Sequence, residues 1–106
     1  MIHGRIFVGD ALLVVAIPET DDEKRTGLLN HLVITDDFGM LFDPAVPLHT
    51  FGMKFPIDVV WLSEDGDVVE IDECVEPCEE LEIPEGAVRC IELAAGFARR
   101  NGLTRD

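Results

Sequence analysis

Five residues in the middle of the chain form its densest group of side chains able to do chemistry. They are His49, Thr50, Met53, Lys54 and Asp58, with Phe51 among them as an aromatic neighbour. An imidazole and a carboxylate can exchange a proton, or they can bind a divalent metal ion together. A carboxylate on an otherwise apolar strand is costly unless it is paired or hydrogen-bonded, so Asp58 needs a partner. The alternatives are a functional pair of His49 and Asp58, or a structural Asp58 that holds the preceding loop in place.

Three cysteines offer a second candidate site. Cys74 and Cys78 are separated by three residues, which suits a zinc site, but no second close pair follows them. A zinc site, a disulfide between Cys74 and Cys78, and inert thiols all remain open, with inert thiols favoured. The surrounding carboxylates disfavour a reactive thiolate, so we expect no catalytic cysteine. We also expect no bound metal and no cofactor.

The motifs that mark common enzyme classes are missing from the sequence. It contains no nucleophile elbow, no phosphate-binding glycine loop, no dinucleotide fingerprint and no His-Glu-x-x-His pair. This favours a protein that binds over a protein that catalyses.

Alternating and apolar patterns predict the elements that position these residues. We expect strands at residues 5–8, 11–17, 38–42, 56–63, 67–72 and 87–93, and helices at about 21–30 and 94–101. Asp65-Gly66 predicts a hairpin turn, and Thr20 with Glu23 predicts a capping box at the first helix. The strand at 56–63 is apolar on both faces and should be central.

These elements predict one domain over residues 1–106. Its fold class is α+β with β dominant: a curled or partly closed, mostly antiparallel sheet of about six strands with two short helices.

The charge of the chain limits its partners. Twenty-two carboxylates against eight Lys and Arg give a net charge of −14, and no Lys or Arg lies between Lys54 and Arg89. Such a protein repels phosphates and anionic lipids, so we expect neither a nucleic acid nor a membrane as its partner. The odd number of cysteines and the lack of an apolar signal segment predict a reducing, cytoplasmic location.

Several strings in the chain carry a family resemblance. They are Arg25-Thr-Gly-Leu-Leu29, Gly39-Met-Leu-Phe42, His49-Thr-Phe-Gly-Met-Lys-Phe-Pro-Ile-Asp-Val-Val60, Asp65-Gly66 and Glu92-Leu-Ala-Ala-Gly96. Together they resemble the domain of unknown function 192 family, in the branch with a His-Thr-Phe-Gly-Met string. Many members have Trp-Met-Lys-Asn where this chain has Gly52-Met-Lys-Phe55. The resemblance implies a small β-rich domain with short helices, and it implies no established reaction, substrate or cofactor.

The sequence therefore predicts a non-catalytic binding or accessory module for a small ligand or a protein. Its recess should lie near His49 and Asp58 and include Thr50, Phe51, Met53 and Lys54. One alternative is an enzyme or metal-binding protein that uses His49 and Asp58. A second alternative is an acidic decoy that binds a basic protein through the carboxylates between Glu64 and Glu85.

Overall fold

The computed structural model describes residues 1–105, which form eight strands and two short helices. The strands are β1 (Ile2–Val8), β2 (Ala11–Ile17), β3 (Phe38–Phe42), β4 (Leu48–His49), β5 (Ile57–Leu62), β6 (Val68–Val75), β7 (Glu80–Leu81) and β8 (Arg89–Ala94). The helices are α1 (Asp21–Thr26) and α2 (Phe97–Arg100).

Six strands form one mixed sheet in the order β1-β2-β3-β8-β5-β6. The β2–β3 pair is parallel and the other four pairs are antiparallel. Strands β1 and β6 form the two edges, so the sheet does not close on itself, and β4 and β7 pair separately as a short antiparallel ladder. The β-dominant α+β fold expected from the sequence is confirmed.

The central position of β5 follows from its apolar character on both faces. Ile57, Val59 and Trp61 pack into one hydrophobic cluster, whereas Val60 and Leu62 pack into another. We call the side of the sheet that carries Ile57, Val59 and Trp61 the first face, and the opposite side the second face. Strand β5 lies between β8 and β6, as its pattern predicts.

Local signals set the start of α1 correctly, but both helices are shorter than expected. The Thr20 hydroxyl accepts a hydrogen bond from the Glu23 backbone, and the Glu23 carboxylate accepts one from the Thr20 backbone, which completes the capping box. Helix α1 ends at Thr26 instead of residue 30, because Gly27 has a φ of 46° and leaves the helical conformation. Helix α2 begins only at Phe97, because Ala94 belongs to β8.

The β5–β6 hairpin turns at Asp65-Gly66 as predicted, and Gly66 has a φ of 88°. The β4–β7 ladder was not predicted, because strands of two residues are too short to show a periodic pattern. Among residues 1–105, no helix has the length and apolar character needed to span a membrane.

Candidate functional site

An open cavity of about 420 Å³ lies beside the first face of the sheet. Asp21 and residues 24–29, from α1 and the segment that follows it, form one wall. Residues 46–49, which lead into and include β4, form the facing wall. Phe42, Met53 and Glu92 complete the lining with buried side chains. Because α1 ends early at Gly27, the chain can turn and bring Leu28 and Leu29 into the wall.

Glu92 is the unusual residue of this cavity. It lies on β8, where its register neighbours are Met40 on β3 and Val59 on β5. Glu92 is only 5% exposed, and its Oε1 atom has no hydrogen-bond partner among residues 1–105. Burial raises the pKa of the Glu92 carboxyl from 4.5 to about 7, because the charged form loses its hydration.

The backbone at Gly27 lies close to this carboxyl group. A Cβ atom built on Gly27 would be 3.7 Å from Glu92 Oε1 and 3.7 Å from the ring of Phe42. The end of α1 therefore shields Glu92 from one side, while the cavity borders it from another. The carboxyl group is a buried hydrogen-bonding group that faces a space large enough for a small molecule.

The charged and basic side chains of the lining other than Glu92 are exposed or half-exposed, and we call this side of the cavity its mouth. Lys24, Arg25 and His49 contribute basic groups, and Asp21 contributes one carboxylate. Arg25 is already paired with Asp22 at 2.6 Å. Within residues 1–105, Lys24 takes part in no ion pair, so its ammonium group has no fixed counter-charge.

Asp58, a predicted site residue, lies on the second face of the sheet and not in the cavity. It is fully buried. Its Oδ1 atom accepts hydrogen bonds from the backbone N–H groups of Cys74 at 2.8 Å and Gly96 at 3.0 Å, and its Oδ2 atom accepts one from Ala98 at 2.9 Å. Gly96 has no side chain with which to cap α2, so Asp58 caps that helix from the neighbouring strand.

His49 is on the other side of the sheet from Asp58. The imidazole is exposed, stacks on the Phe51 ring at a centroid distance of 5.7 Å and forms part of the cavity wall. The expectation that His49 and Asp58 share one recess is corrected by this geometry. Alternation along β5 directs Asp58 away from Ile57 and Val59, whereas His49 lies over the face that carries them. The two side chains therefore cannot act as one acid–base or metal-binding pair.

Thr50 and Lys54 make contacts that hold loops in place. The Thr50 hydroxyl donates a hydrogen bond to the Glu76 carbonyl at 2.7 Å and accepts one from the Glu79 backbone at 2.8 Å. Lys54 Nζ donates to the Leu29 carbonyl at 2.8 Å, behind the cavity wall. Of the six predicted site residues, His49 and Met53 line the cavity, whereas Phe51 reaches it only through its contact with His49.

The cysteines do not form a site among the described residues. All three are free thiols, with Cys74 and Cys78 exposed and Cys90 buried. Burial raises the pKa of the Cys90 thiol to about 12, and the nearby Glu92 carboxyl adds to the effect. Within residues 1–105, no three His, Cys, Asp or Glu side chains are grouped closely enough to hold a metal ion.

The sequence signal for Glu92 is the same as the signal for Asp58. Glu92 is flanked by Ile91 and Leu93 in a predicted strand, just as Asp58 is flanked by Ile57 and Val59. Alternation alone permits such a glutamate to point into solvent from a half-exposed strand. Only the position of β8 between β3 and β5 shows that both faces of this strand are covered.

Comparison with known proteins places the chain in a family without an assigned activity. Residues 6–106 match the model of the domain of unknown function 192 family, described as "Uncharacterized ACR", and the chain belongs to this family. No curated protein is similar enough to count as a match.

Two solved structures resemble the fold. One is a protein of unknown function from Novosphingobium aromaticivorans, with 21% identity, a TM-score of 0.82, and coverage of 90% of this chain and 72% of the other. The second, from Sinorhizobium meliloti, is described as a suggested transcription regulator. It has 25% identity and a TM-score of 0.81, and the match covers 89% of this chain and 78% of the other.

Proposed function

We propose that this member of the domain of unknown function 192 family is a small-molecule-binding module. Its ligand enters the cavity between the apolar walls and donates a hydrogen bond to Glu92. The observation that carries this proposal is the buried carboxyl group of Glu92, a lining residue of a cavity of about 420 Å³, whose Oε1 atom has no hydrogen-bond partner among residues 1–105.

The Oε1 atom of Glu92, without a partner among residues 1–105, carries an energetic cost. Most buried polar atoms in folded proteins have a hydrogen-bond partner, and one without a partner costs about 1–3 kcal/mol. A leucine at position 92 would fit the apolar first face at no such cost. A ligand that donates a hydrogen bond to this carboxyl group offsets part of the cost when it binds, so Glu92 favours molecules with a hydroxyl or amine group.

The other lining residues support binding more than covalent chemistry. Leu28, Leu48, Phe42 and Met53 provide buried apolar surface for the body of a ligand. Thr26 is the only hydroxyl side chain among the described lining residues, and no thiol is among them. A concave, mainly apolar site with a few polar groups is typical of small-molecule recognition.

The description of the S. meliloti protein gives no reason to propose DNA binding for this chain. Contacts to phosphates supply much of the affinity of proteins for DNA, and a net charge of −14 opposes them.

The proposal can be tested with benzyl alcohol and toluene, which share an aromatic body and differ in one hydroxyl group. We expect benzyl alcohol to bind to the wild-type protein about fivefold more tightly than toluene, as one neutral hydrogen bond allows. Titrations followed by backbone amide NMR should shift the signals of residues 24–29, 46, 48 and 49. The Glu92→Leu variant should remove the preference for benzyl alcohol.

Glu82→Leu is the matched control, because Glu82 is exposed and lies outside the cavity lining. It should keep the preference for benzyl alcohol. If wild-type protein binds neither probe, or if Glu92→Leu keeps the same preference as wild type, the proposed role of Glu92 is wrong.

A further inference from the structure

Both lysines of this acidic protein lie at or beside the cavity. The chain has only two lysines. Lys24 lines the cavity, and the ammonium group of Lys54 is bonded to the carbonyl of Leu29 in the cavity wall. Arg25 and His49 also lie in the lining. The cavity mouth therefore differs in charge from the acidic segment between Lys54 and Arg89.

From this distribution we infer that the ligand is an apolar carboxylate with a hydrogen-bond donor at its opposite end. The donor reaches Glu92, the hydrocarbon body lies between the apolar walls, and the carboxylate stays at the mouth beside Lys24. This inference rests on the proposed function, because it uses the same cavity and the same contact to Glu92.

The two polar ends of the cavity define the orientation of this ligand. A carboxylate beside Glu92 would bring two acidic groups together inside an apolar site, which is unfavourable once both are ionised. At the mouth, the Lys24 ammonium, which has no ion-pair partner among residues 1–105, attracts an anion. Asp21 opposes this attraction, whereas the charge of Arg25 is largely balanced by Asp22.

Three probes with the same eight-carbon body separate the two contacts. The probe ω-hydroxyoctanoate carries both a carboxylate and a hydroxyl group, octanediol has two hydroxyl groups and no charge, and octanoate has a carboxylate and no hydroxyl group. Dissociation constants for each would be measured by calorimetry on the full chain and on the variants Lys24→Gln and Glu92→Leu. Arg5→Gln is the matched control, since it removes one exposed positive charge outside the cavity lining.

We expect ω-hydroxyoctanoate to bind most tightly to the wild-type protein. Lys24→Gln should weaken the binding of ω-hydroxyoctanoate about fivefold, which corresponds to the loss of one partly exposed ion pair. The binding of octanediol should not change. Arg5→Gln should leave the dissociation constants of both ω-hydroxyoctanoate and octanediol unchanged.

The two proposals fail in different ways. If octanediol binds as tightly as ω-hydroxyoctanoate and Lys24→Gln changes neither dissociation constant, the inference that the ligand carries a carboxylate is wrong. The proposed binding function then stands. If octanoate binds as tightly as ω-hydroxyoctanoate and Glu92→Leu changes neither, the contact to Glu92 and the proposed function are wrong. If none of the probes binds, both are overturned.

Discussion

Replacing Glu92 with glutamine should make the protein more stable in mildly alkaline solution and change its stability little in mild acid. Burial raises the pKa of the Glu92 carboxyl from 4.5 to about 7. An acid whose pKa is higher in the folded state than in the unfolded state favours folding only while it is neutral. This contribution is fully present below pH 4.5 and is lost as the pH rises through 7.

The size of the effect follows from the difference between the two pKa values. Each pH unit between them corresponds to about 1.4 kcal/mol, so ionisation of Glu92 should lower the free energy of unfolding by about 3 kcal/mol. Glutamine has similar size and polarity but does not ionise. The stability advantage of Glu92→Gln over wild type should therefore grow by about 3 kcal/mol between pH values of about 4.5 and 8.5.

Urea unfolding curves at several pH values in this range would measure the effect. Glu82→Gln is the control, because it removes an exposed carboxylate and should show no such growth. A difference between Glu92→Gln and wild type that stays constant across the pH range would show that Glu92 is not held in a desolvated environment, and the reasoning about the cavity would fail with it.

Three further substitutions test how the fold is held together. Asp58→Ala should lower the free energy of unfolding by about 3–5 kcal/mol in urea titrations, because one buried and two partly buried backbone N–H groups lose their acceptor. A loss below about 1 kcal/mol would contradict the role of Asp58 as a helix cap. Gly39→Ala should lower the free energy of unfolding by about 1–3 kcal/mol, because the new Cβ would lie 2.9 Å from side-chain atoms of Ile91 and Leu93. An unchanged melting temperature would refute this close contact. Thr20→Ala should lower the free energy of unfolding by about 1 kcal/mol, because the capping box is lost. Thr20→Ser is the control, since it retains the hydroxyl group. Equal stability of the two variants would contradict the assignment of the capping box.

Local sequence patterns predicted the six strands of the main sheet and the start of α1. The alternation of Ile57, Val59 and Trp61 established a strand with two apolar faces, and Thr20 with Glu23 established where α1 begins. Asp65-Gly66 established the hairpin between β5 and β6. Each of these signals acts between residues a few positions apart, because hydrogen bonding in caps and turns and the period of a strand are local properties. The composition likewise determined that the protein is strongly acidic.

Only the tertiary structure decided which polar groups meet. The sequence correctly required a partner for Asp58, but its partners lie 16, 38 and 40 residues away and are backbone groups, which leave no mark in the sequence. The pattern of β5 separates its two faces without revealing that the loop with His49 covers the face opposite to Asp58. The cavity is likewise assembled from residues 24–29, 46–49 and Glu92, which the order of strands in the sheet brings together. Long-range packing therefore decided that Glu92, and not Asp58, shares a cavity with His49.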